Sequence, residues 1–226
     1  RDRANFETLL YQVRRVAGDQ VTAEANLTSS FSVGTGARIV NTQKAHSQGS
    51  LITTDNSLDL AIEGGGFFQV LLPDGRIGYT RNGAFSTNNE GVLTTSSGYI
   101  VQPEIAIPDG VTQINISRDG IISVLVAGAV GADAVGQMQI ADFTNRGGLQ
   151  PIGESFFVET DTSGDPIVGN PQDVGLGRLI QGALEASNVN VVTELVEMIE
   201  TQRAYEVSSK SITSVDEMLR YISQNL

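Results

Sequence analysis

The residues able to do chemistry are few and scattered. His46 is the only histidine in 226 residues, and there is no cysteine. A histidine-based metal site would need carboxylates around His46, while thiolate ligation and a disulfide framework are excluded. A Ser-His-Asp relay is formally available, yet no serine stands in the G-x-S-x-G context that presents a nucleophile. The expected role of His46 is that of an ordinary polar side chain near the base of a β body. Asp55 and Asp59 lie four residues apart, as do Asp161 and Asp165. Paired carboxylates can hydrolyse glycosides, but these sit among Ser, Thr, Asn and Gly, where solvated turn residues are expected. Asp161-Thr162-Ser163-Gly164-Asp165 lacks the acidic spacing and distal Glu of a calcium loop. Gly64-Gly65-Gly66 precedes two phenylalanines rather than a helix, Gly175-Leu176-Gly177 does not continue as a dinucleotide fingerprint, and no P-loop exists. No catalytic residue, cofactor or metal site is expected, and the chain reads as a non-enzyme.

The elements that would have to position any site fall into three zones: 1–46, 47–175 and 176–226. In the first, Phe6, Leu9, Leu10 and Val13 recur at helical spacing, with Glu7 early and Arg14 and Arg15 late as a helix dipole prefers. A short helix ending near Gly18 is expected there. A polar, Thr/Ser-rich extended arm should follow, from Asp19 to Val40. In the second zone, turn signals at Asp74-Gly75, Asn82-Gly83 and Glu90-Gly91 fall eight residues apart, a hairpin rhythm, and Asp119-Gly120 adds another. Strand-like runs lie between them, including Phe67 to Leu72, Ile77 to Thr80 and Ile121 to Val126. Ile114 and Ile116 alternate with Gln113 and Asn115. The expected body is antiparallel β with one face on a core.

The third zone leads into a long helix. Asn190 is a candidate N-cap, Glu194 sits near the positive end of the dipole, and no Gly or Pro occurs from Val191 to Leu226. At about 1.5 Å per residue such a helix is roughly 55 Å long. Leu195, Met198, Tyr205, Ile212, Val215, Leu219, Ile222 and Leu226 form a stripe with gaps at Gln202 and Ser209. Burying eight such side chains would contribute at most about 12–24 kcal/mol, and a stripe this narrow favours another helix as its partner. The fold class is therefore mainly β with a long terminal helix: an antiparallel β-rich body, an extended arm and a coiled-coil-type α-helical core. Leu195, Met198, Tyr205, Ile212, Val215, Leu219 and Ile222 are the candidate assembly residues.

Bulk composition narrows the partners. The net charge of −12, from 26 acidic and 14 basic side chains without a basic stripe, argues against nucleic acid and against an anionic membrane surface. No stretch approaches the roughly 20 apolar residues of a membrane span. No basic, apolar leader opens the chain.

Longer motifs carry a resemblance. Gln181-Gly182-Ala183-Leu184-Glu185-Ala186-Ser187-Asn188-Val189-Asn190, followed by Met198-Ile199-Glu200-Thr201-Gln202-Arg203-Ala204-Tyr205-Glu206, resembles the C-terminal signature of flagellar rod and hook proteins. Gly66-Phe67-Phe68-Gln69-Val70 and Tyr79-Thr80-Arg81-Asn82-Gly83-Ala84-Phe85 agree with it, and the likeness covers nearly the whole chain. The arm up to Gly34-Thr35-Gly36 is similar to the extended segment of distal rod members. Ser208 stands where relatives carry Asn, and the opening looks like the end of a Gly-Phe-Lys-Arg motif, so the family's first helix is expected upstream. The resemblance implies a structural subunit of an open helical homopolymer that carries torque from motor to hook. It also implies other rod proteins and hook subunits at its ends, basal-body rings around it, and export through the flagellar secretion channel to a rod spanning periplasm to outer membrane. The weighed alternatives are another flagellar axial protein, of proximal rod or hook type, and a secreted β-rich adhesin. An acid glycoside hydrolase is disfavoured by the absence of tryptophan.

Overall fold

The computed structural model describes residues 2–15, 20–22, 25–26, 31–128 and 131–224. It divides into two compact units, Arg1–Glu185 and Ala186–Leu226. The boundary lies ten residues beyond the 175/176 division read from the sequence, because strands that pair back onto the body occupy the interval.

The first unit opens with six strands: β1 (Asp2–Thr8), β2 (Tyr11–Arg15), β3 (Gln20–Thr22), β4 (Ala25–Asn26), β5 (Phe31–Gly34) and β6 (Ala37–Lys44). They pair antiparallel and nested, β1 with β6, β2 with β5 and β3 with β4. This corrects the helix expected from Phe6, Leu9, Leu10 and Val13; its terminator Gly18 lies outside the described residues. The spacing that suits a helix also suits a strand here. Arg3, Asn5 and Glu7 alternate with Ala4, Phe6 and Thr8, and β6 supplies a partner with the same alternation. A helix this short is marginal alone, whereas cross-strand pairs support the ribbon. Asp2 faces Lys44, Asn5 faces Asn41 and Glu7 meets Arg38, with side-chain bonds of 3.1, 2.8 and 3.3 Å. The junction of the two ribbons is held by Leu9 N–H donating to Gly36 C=O and Thr35 Oγ1 donating to Leu10 C=O.

Sixteen further strands build the body. They are β7 (Leu51–Thr53), β8 (Leu60–Glu63), β9 (Phe67–Leu71), β10 (Ile77–Thr80), β11 (Phe85–Thr87), β12 (Leu93–Thr95), β13 (Ile100–Gln102) and β14 (Val111–Ile116). Then come β15 (Ile121–Val126), β16 (Asp133–Gln137), β17 (Ile140–Asp142), β18 (Gln150–Gly153), β19 (Phe156–Val158), β20 (Ile167–Gly169), β21 (Arg178–Gln181) and β22 (Ala183–Glu185). Nine of them form one sheet in the order β11-β12-β13-β9-β10-β19-β18, with β17 joining β9 and β20 joining β17. The others form β14-β15-β16, β21-β8 and β22-β7, and every pairing is antiparallel. The core lies on both faces of β9. Phe68 and Val70 pack with Leu60, Ile62, Phe85, Leu93 and Ile140, while Phe67 packs with Tyr79, Phe143, Leu149 and Phe157. Tyr79 meets Phe143 edge-on at 4.7 Å, a favourable aromatic geometry. In β14, Ile116 is buried while Gln113 and Asn115 are exposed, as the alternation anticipates.

The turn signals resolve unevenly. Asp74-Gly75 turns β9 into β10, with Gly75 at φ +82°, and Glu90-Gly91 turns β11 into β12. The middle pair is different. β10 and β11 are not neighbours, so Asn82-Gly83 carries the chain to another position in the sheet rather than round a hairpin. Gly83 is required by proximity, since a Cβ there would lie 1.7 Å from the Leu60 carbonyl oxygen. Gly64-Gly65-Gly66 and Gly175-Leu176-Gly177 also mark a close crossing. Gly177 N–H donates to Gly65 C=O at 2.7 Å, and a Cβ on Gly177 would sit 2.7 Å from the Glu63 carbonyl.

The second unit carries α1 (Val191–Gln224), 34 residues and about 50 Å long. Asn190 caps it, its Oδ1 accepting from Val192 N–H at 3.0 Å and Thr193 N–H at 3.4 Å. Leu226, the last residue of the stripe, lies outside the described residues.

Candidate assembly surfaces

Two of the residues that could have done chemistry, His46 and Asp59, take part in folding contacts. His46 is half-buried and meets the rings of Phe67 and Phe157 edge-on at 5.9 and 5.3 Å. Burial first, then the charges of Arg146, Arg81 and Lys44, hold its imidazole below the ordinary histidine range. Asp59, expected as a solvated turn residue, is instead buried. Its carboxylate accepts from Thr54 Oγ1 at 2.7 Å and Asn56 Nδ2 at 2.9 Å and so organises that loop. Asp161 and Asp165 are exposed. Among the described residues no cluster of three or more His, Asp and Glu is placed to hold a metal ion.

What the molecule offers are apolar surfaces facing solvent. None of the described residues of α1 is buried. Leu195, Met198, Tyr205, Ile212, Val215, Leu219 and Ile222 all lie on it and are each about half or more exposed, from 49% at Ile222 to 76% at Tyr205. Steps of three, four and seven drift around a straight helix by about 20° per heptad, so the line winds and a partner following it must wind too. A second set was missed in the sequence. Val192, Val196 and Ile199 are also exposed, about a quarter-turn round the helix from Leu195 and Met198, and Val207, Met218 and Tyr221 are further exposed apolar positions away from the first line. The steps of four and three from Val192 through Val196 to Ile199 were the available signal. Between these residues, Thr201, Ser208 and Ser211 turn their hydroxyls onto the carbonyls one turn back, at 2.8, 2.8 and 2.9 Å. Such hydroxyls need no further partner and can be covered by a neighbouring helix without penalty.

The arm presents a second surface. In β1 and β6, Arg3, Asn5, Glu7, Gln43, Asn41 and Arg38 share one face by register, and Ala4, Phe6, Thr8, Thr42, Ile39 and Ala37 share the other. Both strands are exposed along their length, and the directly opposed Phe6 and Ile39 are 70% and 60% exposed. An isolated two-stranded ribbon gains little stability in water, so its apolar face is suited to packing on something else.

Comparison with known proteins identifies the family. The family model described as the flagellar hook protein FlgE/F/G D1 domain matches residues 61–124. That described as the flagellar basal body rod FlgEFG protein C-terminal matches residues 180–225. A flagellar basal-body rod protein FlgG from Buchnera aphidicola subsp. Acyrthosiphon pisum is 51% identical over 224 residues, 99% of this chain and 86% of that protein. The chain belongs to the FlgG family. From Caulobacter vibrioides, the FlgG protein is 44% identical over 99% of the chain, whereas the FlgF protein is 34% identical over 79%. The FlgG relationship therefore outweighs the proximal-type alternative, and Bacillus subtilis FlgG, at 36% over 97% of the chain, extends it. The FlgG-type chain is a structural subunit of the flagellar basal-body rod and serves motility. The stretches that suggested the family, at Tyr79–Phe85 and Gln181–Glu206, lie within or across the two matched regions.

Proposed function

We propose that this chain builds the distal part of the rod as an open helical homopolymer. The α1 helices of neighbouring copies pack along the line through Leu195, Met198, Tyr205, Ile212, Val215, Leu219 and Ile222. The second flank, through Val192, Val196 and Ile199, meets a further helix, so each helix is gripped from two sides within a tube wall. Contacts of this kind are heterologous and propagate without closing. The β bodies lie outside the helical wall, and the arm's apolar face, centred on Phe6 and Ile39, braces adjacent copies. The role is mechanical rather than catalytic: torque passes from the motor to the hook through many subunit contacts. Other rod proteins and hook subunits meet the two ends, and basal-body rings surround the tube between periplasm and outer membrane. The acidic, cysteine-free composition accords with export of an unfolded chain through the flagellar secretion channel.

The observation that carries this reading is a 34-residue helix with apolar residues on two flanks and none of its described residues buried. Left in water, that apolar area is a large unused driving force. Leu219→Asp tests it directly. The substitution should abolish swimming and remove the protein from isolated basal bodies, while leaving the thermal unfolding of the β body unchanged. Normal motility in this variant contradicts the proposal.

A further inference from the structure

Strand β22 is the last element of the first unit, and the chain continues from it directly into Ala186 and the helical unit. A pull carried along the chain from the helical unit enters the β body at Glu185. Yet β22 is hydrogen-bonded only to β7 in a two-stranded sheet, separate from the nine-stranded one. Its beginning is anchored by main chain, with Gly182 N–H donating to Asp59 C=O at 2.8 Å and Thr54 N–H donating to Gly182 C=O at 2.7 Å. Its far end is anchored by a side chain.

That anchor is Arg81, which follows β10 in the nine-stranded sheet. Its Nη1 and Nη2 both donate to Gly64 C=O, at 2.9 and 2.6 Å, in the loop after β8. Its guanidinium stands 5.7 Å from the centre of the Phe67 ring in β9. Nη1 is 3.6 Å from Oε2 of Glu185, an ion pair between side chains only 20% and 11% exposed. The other carboxylate oxygen of Glu185 accepts from Gly49 N–H at 2.9 Å, just before β7. Oε2 is buried with no hydrogen-bond partner, so Arg81 is what balances its charge. Arg146 is committed to Asp142 by bonds of 2.8 and 2.5 Å. One guanidinium thus touches three separately hydrogen-bonded sheets: β21-β8, the nine-stranded sheet and β22-β7.

We infer that Arg81, through Glu185, is a mechanical staple that positions the exit strand β22 on the main sheet and resists its peeling under load. The fixed fork of an arginine suits this role, since it can hold a carbonyl and a carboxylate together while stacking on a ring. The value of the staple under torque rests on the rod reading, but its existence can be tested in the unassembled chain.

The test is site-resolved amide hydrogen exchange at pH 7 on the full 226-residue chain. Arg81→Met keeps the stem and deletes the charge, leaving the Glu185 carboxylate buried without a counter-ion. Protection at Leu51–Thr53 and Ala183–Glu185 should fall by more than about tenfold, while Phe68 and Val70 keep theirs. Adding Glu185→Gln to that variant removes the orphaned charge and should return part of the protection, leaving it below that of the unaltered chain because the ion pair is still missing. Should Arg81→Met fail to fold, Glu185→Gln alone provides the second reading: it keeps the Gly49 bond, severs the ion pair, and should loosen only β7 and β22. Unchanged protection in the single variants overturns the inference. So does a double variant no better than Arg81→Met, because arginine would then act by packing alone. A motility defect in Leu219→Asp with no staple effect in exchange would leave the rod reading standing and remove only this one.

Discussion

Among single residues, close contacts set several positions strictly. Gly83 illustrates how strictly one position can be set. A Cβ would lie 1.7 Å from the Leu60 carbonyl oxygen, and Leu60 is fully buried. Gly83→Ala should therefore lower stability by about 3 kcal/mol or more, read as a depressed Tm of the β body. A change within about 0.5 kcal/mol would mean that the backbone yields more easily than the geometry implies. Asn82-Gly83 is legible in the sequence as a turn signal, but this reason for the glycine is not. The role of Arg81, one residue earlier, is not legible either, because a lone arginine beside a turn has no pattern until the third dimension brings Gly64, Phe67 and Glu185 to it. Asp59 was misjudged for the same reason: its partners Thr54 and Asn56 are local, but its burial comes from the surrounding strands.

At the level of elements, legibility followed the range of the forces. The long helix and its Asn190 cap were visible because capping, dipole and propensity are local, and no Gly or Pro interrupts Val191 to Leu226. Hairpins closed by short turns at Asp74-Gly75 and Glu90-Gly91 were visible likewise. The start of the arm is not legible in the sequence because β1 is defined by pairing with β6, 29 to 42 residues away, and local spacing favours a helix. Its two-faced character makes a distinct prediction. Phe6 is exposed in the isolated chain, so Phe6→Ser should change folding stability by no more than about 0.5 kcal/mol. In cells the same change should reduce swimming, since the apolar face would lose its central contact. A large fall in Tm would show that Phe6 serves the chain's own fold, and unimpaired swimming would remove the arm from the assembly account.

For the molecule as a whole, the two units divide the work. The β unit encloses a two-sided core around β9, and the described apolar residues of the helix are exposed. In the proposed assembly, a protein built this way is completed by its own copies. The most direct test exploits the absence of cysteine. Gln202 and Ser209 occupy the two gaps in the helical stripe, seven residues and about 10.5 Å apart along α1. Cysteines at both positions of one chain are too far apart to join each other, so any disulfide must link two molecules. With Gln202→Cys and Ser209→Cys combined in a motile cell, basal bodies should be isolated after mild oxidation and run on a non-reducing gel. A ladder of trimers and higher adducts that collapses on reduction is the expected result. Monomer alone, with the protein absent from basal bodies, would contradict the claim that α1 of each copy packs on α1 of the next.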